Sequence, residues 1–324
     1  MPGRQTIVHM AEIGKDIQKA KHLLEQGELV AIPTETVYGL AGNALNNHAV
    51  VGIFQAKARP HFDPLIVHVP SVAAARQYVE NFPPQAVQLA EKFWPGPLTL
   101  LLKRKTIIPD LVTSGLDTVG IRCPNHALTH ELLKSLAFPL AAPSANPFGY
   151  VSPTTPQHVN EQLGDRIAYI LDGGPCEVGI ESTILGFEHN APVIYRMGGL
   201  GIEALERIAG KVTVQAHSTS NPKAPGQLKS HYAPGKRVIL GDIDELLQQH
   251  ASHATGLLTF QKNYHHPHQV VLSPDGSLEE AARNLFAALR TLDKMPVDVI
   301  LAELVLDTGL GKAINDRLRR AAAE

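Results

Sequence analysis

A short apolar run that ends on a proline and a hydroxyl–carboxylate–hydroxyl cluster constrains this chain more than any other feature. Leu29 to Ile32 reads as a buried strand stopped at Pro33, since proline has no N–H for the ladder. Thr34, Glu35 and Thr36 follow, and Tyr38-Gly39 reads as a turn. A helix is predicted from about Asn47 to Lys57. Lys57 and Arg59 set two cations one residue apart before Pro60, and Leu65 to Val69 forms a second buried strand carrying His68. Polar clusters therefore sit at strand ends, where an open α/β sheet places its ligand. A polar substrate bearing ammonium and phosphate groups suits that combination.

The same grammar recurs downstream. Helices are predicted over 15–26, from Ser71 to about Val79, from Pro84 to Phe93, and from His126 to Leu136. Strands are expected at Leu98 to Leu102, Val119 to Arg122, Pro139 to Ala142, Ile167 to Leu171 and Val193 to Arg196, with a helix from Gly198-Gly199 to Ile208. Several strands follow one another directly, which predicts a mixed sheet. Asp172-Gly173-Gly174 reads as a tight turn. Polar groups cluster at Thr34–Thr36, at Lys57 and Arg59, at Arg122, at Ser144–Asn146, at Ser182-Thr183 and at Arg196. Each alone reads as a cap, a turn or a surface charge. Gathered at successive strand ends they predict one shared site, and its cations suit a polyphosphate, which Arg can chelate bidentately.

At 324 residues the chain exceeds one ordinary core. Its composition changes near Thr213, where a Pro-, Ser- and Gly-rich stretch without periodicity begins. We therefore expect a first domain over 1–212, a linker at 213–236, and a small α/β domain over 237–324. Net charge is −2, so any attraction for phosphate must be local and no general affinity for nucleic acid or membranes is expected. No apolar run has the length of a membrane span and the N-terminus lacks a secretory apolar segment, which points to the cytoplasm. Cys123 and Cys176 read as buried free thiols. Neither a phosphate-binding P-loop nor a G-x-G-x-x-G follows the first strand, and the sixteen histidines show no zinc spacing. The His265-His266-Pro267-His268 run reads as a solvated loop, and Ser144 lacks an evident triad partner.

IPTETVYGL, KARP, PLIVH, WPGPLTLLL, GIRCP, APSAN, DGG and GIESTI, in this order, closely resemble the YrdC-like family. APGQLKSHYAP and the α/β unit beyond it resemble the family's longer form, that of the L-threonylcarbamoyladenylate synthases. The resemblance implies a mixed, twisted-sheet YrdC-like domain followed by a small doubly wound, Rossmann-like α/β domain. It also implies that L-threonine, bicarbonate (or CO2) and ATP react to threonylcarbamoyl-AMP and pyrophosphate. A tRNA threonylcarbamoyl transferase would then take the product to the adenosine beside the anticodon, so the chain itself needs no stable hold on nucleic acid.

Carried over by position, Thr36, His68, Arg122, Ala142 (through its backbone) and Ser182 are expected to hold threonine or its carbamate. Arg59, Asp63, Thr118, Ser144, Ser152 and Arg196 are expected to hold ATP, with Lys57 and Asn146 completing the K-x-R and S-x-N signature. Lys57, Arg59 and Arg196 would neutralise the developing charge, and Mg²⁺ would sit mainly on ATP oxygens with few protein ligands. Family linkers often carry a tyrosine three residues before a His-Tyr pair; here Leu228 or Lys229 stands there, and His231 and Tyr232 remain. Lys229 and Tyr232 are accordingly candidates to contact nucleotide. The small domain is expected to anchor the linker and gate the site.

Two other readings compete. An RNA-binding or ribosome-maturation factor could use the same basic cavity, but the net charge and an aromatic content of 5% speak against it. A carbamoyl-transfer relative acting on another substrate would need acylphosphatase and zinc-finger modules, which are not found.

Overall fold

The computed structural model describes residues 10–215, 223–227 and 231–323. An uninterrupted apolar run demands burial on both faces, and the first core strand meets that demand: Val30, Ala31 and Ile32 are all fully buried. The strands of the first unit are β1 (Glu12–Gly14), β2 (Val30–Ile32), β3 (Gly39–Asn43), β4 (Ile66–His68), β5 (Leu98–Lys103) and β6 (Thr118–Arg122). They continue with β7 (Leu140–Ala141), β8 (Tyr169–Leu171), β9 (Thr183–Glu188), β10 (Ala191–Arg196) and β11 (Thr213–Val214). Their spatial order is β1-β8-β2-β3-β7-β4-β6-β5-β9-β10-β11. Parallel pairs such as β4–β6 and β5–β9 alternate with antiparallel ones such as β2–β3 and β5–β6, so the sheet is mixed.

One local expectation fails in an instructive way. Tyr38-Gly39, expected as a turn, instead leads into β3, which pairs antiparallel with β2 through Ile32 and Gly39. The run Gly39-Leu40-Ala41-Gly42 has poor strand propensity, but its small residues let neighbours close in. A Cβ at Gly42 would stand 3.0 Å from Leu29 Cδ2, and one at Gly39 3.2 Å from Ala142 Cβ. The tight β2–β3 reversal turns Thr34–Thr36 into a buried loop. Ser71 does cap a helix, but only Val72–Ala75. A helix at Pro156–Leu163 adds to those expected; Thr155 caps it and Pro156 occupies its first turn. Thr213 and Val214, which open the segment expected as linker, pair with Val193 and Ile194.

The Asn47–Lys57 helix forms as expected. Asn46 caps its first turn, and Ala58 ends it in the left-handed conformation at φ +50°. That ending turns Lys57 into the protein and releases Arg59 along a new direction.

The second unit has β12 (Arg237–Leu240), β13 (Thr255–Thr259), β14 (Gln269–Val271) and β15 (Val299–Ala302), ordered β12-β15-β13-β14 with every pair parallel. Leu257, Val299 and Leu301 meet Ile243 and Leu246 of the Ile243–Gln249 helix on one face. Val238, Leu258 and Ile300 meet the Leu278–Lys294 and Gly311–Ala321 helices on the other, which makes the unit doubly wound. That second core also takes in Val37, Val151, Ile180 and Tyr232, so the two units share apolar packing. Tyr150 Oη donates to Asp293 at 2.5 Å and Arg290 donates to the carbonyls of Val151 and Ser152 across the same seam.

Candidate active site

Parallel strands end together, and the chemistry follows that geometry. His68, Arg122 and Arg196 are the last residues of β4, β6 and β10 respectively, and His68 and Arg122 are register partners. They line a cavity with Thr34, Thr36, Arg59, Ala142, Ser144, Glu181 and Ser182, which Pro225, Gly226, His231 and Tyr232 cover.

One part of the cavity wall combines hydroxyls with a paired arginine. Thr34 and Thr36 share a hydroxyl–hydroxyl hydrogen bond of 2.8 Å. Arg122 Nη1 donates to Thr36 Oγ1 at 2.9 Å, and Nη2 lies 2.7 Å from the Glu35 carboxylate in a buried ion pair. Ser182 shares a hydrogen bond of 2.7 Å with Thr99 beneath it. Tyr38 ties the loop to the Asp172–Gly174 turn: its hydroxyl donates to the Gly174 carbonyl at 2.8 Å and accepts from Gly173 N at 3.1 Å.

Another part of the wall is cationic. Arg59 Nη2 pairs with Asp63 at 2.9 Å and also donates to the Pro64 carbonyl at 2.8 Å. Arg196 donates from Nε to the Ser182 carbonyl and from Nη2 to the Ser182 hydroxyl, both at 3.0 Å. Lys57 is wholly enclosed, and its ammonium donates to the carbonyls of Ser144 and Asn146. Burial first, then the neighbouring Arg59, lowers its pKa well below the ordinary lysine value.

His68 is the clearest titration probe. Burial, and then Arg122, push its pKa down to about 3, so the ring is neutral at ordinary pH. Its folded pKa lies below the unfolded value of 6.5, so the stability of the neutral ring is complete above that pH and is lost as pH falls towards 3. Between pH 7.5 and about 4.5 the wild type should therefore lose about 3 kcal/mol more stability than a His68→Gln variant, read by urea denaturation. Matching pH profiles would contradict a buried neutral His68.

The sequence-derived candidates divide by position. Thr36, Arg59, His68, Arg122, Ala142, Ser144, Ser182, Arg196 and Tyr232 line the cavity. Lys57, Asp63, Asn146 and Ser152 stand immediately behind it, bonded to Ser144, Arg59, Ser144 and Glu181 of its walls. Thr118 does not line the cavity: it opens β6 while Arg122 closes it, roughly 13 Å away at strand rise. Lys229 lies outside the described residues. Cys123 and Cys176 are buried and unpaired, with thiol pKa values raised chiefly by burial.

Family models match almost the whole chain. Residues 22–198 match the Sua5/YciO/YrdC model, described as telomere recombination, and residues 200–323 match the model of the threonylcarbamoyl-AMP synthase C-terminal domain. The threonylcarbamoyl-AMP synthase of Pyrococcus abyssi is 41% identical over 94% of either chain. The chain belongs to the threonylcarbamoyl-AMP synthase family. The Bacillus subtilis synthase is 40% identical over 94% of this chain and 92% of its own length. The crystal structure of P. abyssi Sua5 complexed with L-threonine superimposes with a TM-score of 0.91, at 39% identity over 96% of this chain and 97% of that one. Escherichia coli YciO, at 20% identity and a TM-score of 0.53, covers 58% of this chain and shares the fold alone. Among the described residues no helix is long and apolar enough to cross a membrane.

Sequence reasoning misses several acidic and basic partners in this synthase-family site. It takes Glu35 only as a member of a polar cluster and gives Glu181 no role, though each forms a buried ion pair, with Arg122 and Arg317 respectively. It gives Arg317 and Arg320 of the small domain no role, yet they are among the largest fully enclosed side chains. The available signal is Asp316 four residues before Arg320, a spacing that ordinarily marks a solvated helix face.

Proposed function

We propose that this cavity condenses L-threonine, bicarbonate and ATP into threonylcarbamoyl-AMP and pyrophosphate, for transfer to tRNA by a partner enzyme. The observation that carries the reading is one cavity lined both by Arg122 with its neighbouring hydroxyls and by the further arginines Arg59 and Arg196. Arg122 would take the threonine carboxylate, with Thr36 and Ser182 offering hydroxyl partners to the threonine side chain. Arg59 and Arg196 would take the triphosphate, and Ser144 would border it. Lys57 and Asn146 would brace the Ser144–Asn146 loop from behind.

The threonine amine first condenses with bicarbonate, losing water and giving a carbamate anion. A carbamate oxygen then attacks the α-phosphorus; the new P–O bond forms as the bond to the β-phosphate bridging oxygen breaks, and pyrophosphate departs. The nucleophile already carries its charge, so the chain contributes alignment and charge neutralisation and needs no dedicated base at this step. Mg²⁺ enters with ATP as part of the substrate. The carboxylates around the cavity are engaged by arginines, Glu35 by Arg122, Asp63 by Arg59 and Glu181 by Arg317, which suits a metal held on phosphate oxygens.

Mass spectrometry of the product tests the reading. Carbon-labelled bicarbonate should enter an adenylate that also contains threonine, and an unlabelled or threonine-free adenylate would reject it. The RNA-binding alternative loses its support with family membership, since the relatives matched along the whole chain carry the synthase name.

A further inference from the structure

The last helix of the small domain, Gly311–Ala321, reaches into the catalytic unit through a wholly buried guanidinium. Arg317 Nε donates to Glu181 Oε2 at 2.9 Å, Nη1 to Asp316 at 2.6 Å, and Nη2 to the Met197 carbonyl at 2.9 Å. The same guanidinium lies 4.7 Å from the centre of the Tyr232 ring. Glu181 and Tyr232 line the cavity, and Met197 directly follows Arg196. One side chain thus touches the cavity wall, the residue after a phosphate-site arginine, and the covering linker.

Glu181 is the pivot. Its Oε1 accepts from Ser152 at 2.5 Å and its Oε2 from Arg317, so both oxygens are engaged. Arg196, whose bonds go to Ser182 and Pro225 and to no carboxylate among the described residues, keeps its charge for an incoming anion. Burial alone would raise the Glu181 carboxyl, but Arg317, then Arg196 and Ser152, outweigh it and hold it below the usual range. Arg196 is hydrogen-bonded to Ser182, the residue after Glu181, and both side chains line the same cavity, so Arg196 is the next cation at hand if Arg317 is removed. An internal ion pair there would compete directly with triphosphate.

We propose that Arg317 is a positioning residue for the phosphate site: it holds Glu181 so that Arg196 stays available to the nucleotide, and it braces Tyr232 over the same space. The proposal rests on the synthase reading above. It gives the small domain a defined chemical task, which is to occupy an acidic group that would otherwise quench the nucleotide site.

The test is steady-state pyrophosphate release by full-length variants, titrating ATP and threonine separately, alongside thermal melts. Arg317→Gln should raise KM for ATP by about tenfold or more, with KM for threonine changed far less. Adding Glu181→Gln should bring the ATP KM of the double variant back to that of Glu181→Gln alone, because the competing charge is gone. Arg317→Lys, which keeps the charge but not the three-way fork, should fall between wild type and Arg317→Gln. A merely structural arginine would lower melting temperature and kcat without this KM split, and Glu181→Gln would give no relief; either finding overturns the proposal. Should Arg317→Gln fail to fold, Arg317→Lys carries the same comparison, and an unchanged ATP KM in it overturns the proposal. Absence of threonine-dependent release by the wild type would instead reject the synthase reading itself.

Discussion

Replacing Arg196 with alanine is expected to lower kcat/KM for ATP by about a thousandfold while the protein stays folded. The size follows from where the charge is needed. Arg196 closes β10 at the cavity wall, and negative charge builds on the α-phosphate and leaving pyrophosphate inside a largely enclosed space. Its partners are Ser182 and the Pro225 carbonyl, and Glu181 keeps Arg317 as its cation when Arg196 is lost. No carboxylate is stranded, so the expected cost to stability is only about 1–2 kcal/mol. Pyrophosphate release measured across ATP concentrations at saturating threonine, with a thermal melt, gives both numbers. A loss below about tenfold would place the phosphate site elsewhere.

Arg122→Gln should behave differently because its partner is an acid. The change is expected to raise KM for threonine by about a hundredfold, by removing the cation for the amino-acid carboxylate. It also strands the Glu35 carboxylate, buried at 4% exposure, so stability should fall by about 3–5 kcal/mol. The double variant Glu35→Gln with Arg122→Gln removes both charges and should recover most of that stability without recovering threonine use. Urea denaturation and threonine titration separate the two effects. Recovery of threonine KM in the double variant would show that Arg122 serves the fold and not the substrate.

Local features are legible where local physics decides them. Asn46 and Pro60 frame the helix that delivers Lys57 and Arg59, whereas the left-handed Ala58 that ends it carries no sequence signal, since an alanine rarely adopts that conformation. Strand-end cations are legible because a charge that closes a buried apolar run in an open α/β sheet falls where such sheets bind their ligands. The β3 strand is not, since its glycines and alanine carry no strand signal and suit the neighbours that press on them. Thr118 shows the limit of position on a strand: it shares β6 with Arg122 but stands at the opposite end. Arg317 is illegible for another reason. Its meaning lies with Glu181, 136 residues away, and only the packing of the last helix against the first unit brings them together. A charged helix terminus looks solvated until a fold supplies its buried partner.

The central claim is tested most directly by pyrophosphate release from purified protein given ATP, bicarbonate and Mg²⁺, with and without L-threonine, and with serine and glycine as controls. Release that depends on threonine, and that collapses in Arg196→Ala, is the predicted result. Folded protein that releases no pyrophosphate in response to threonine would contradict it.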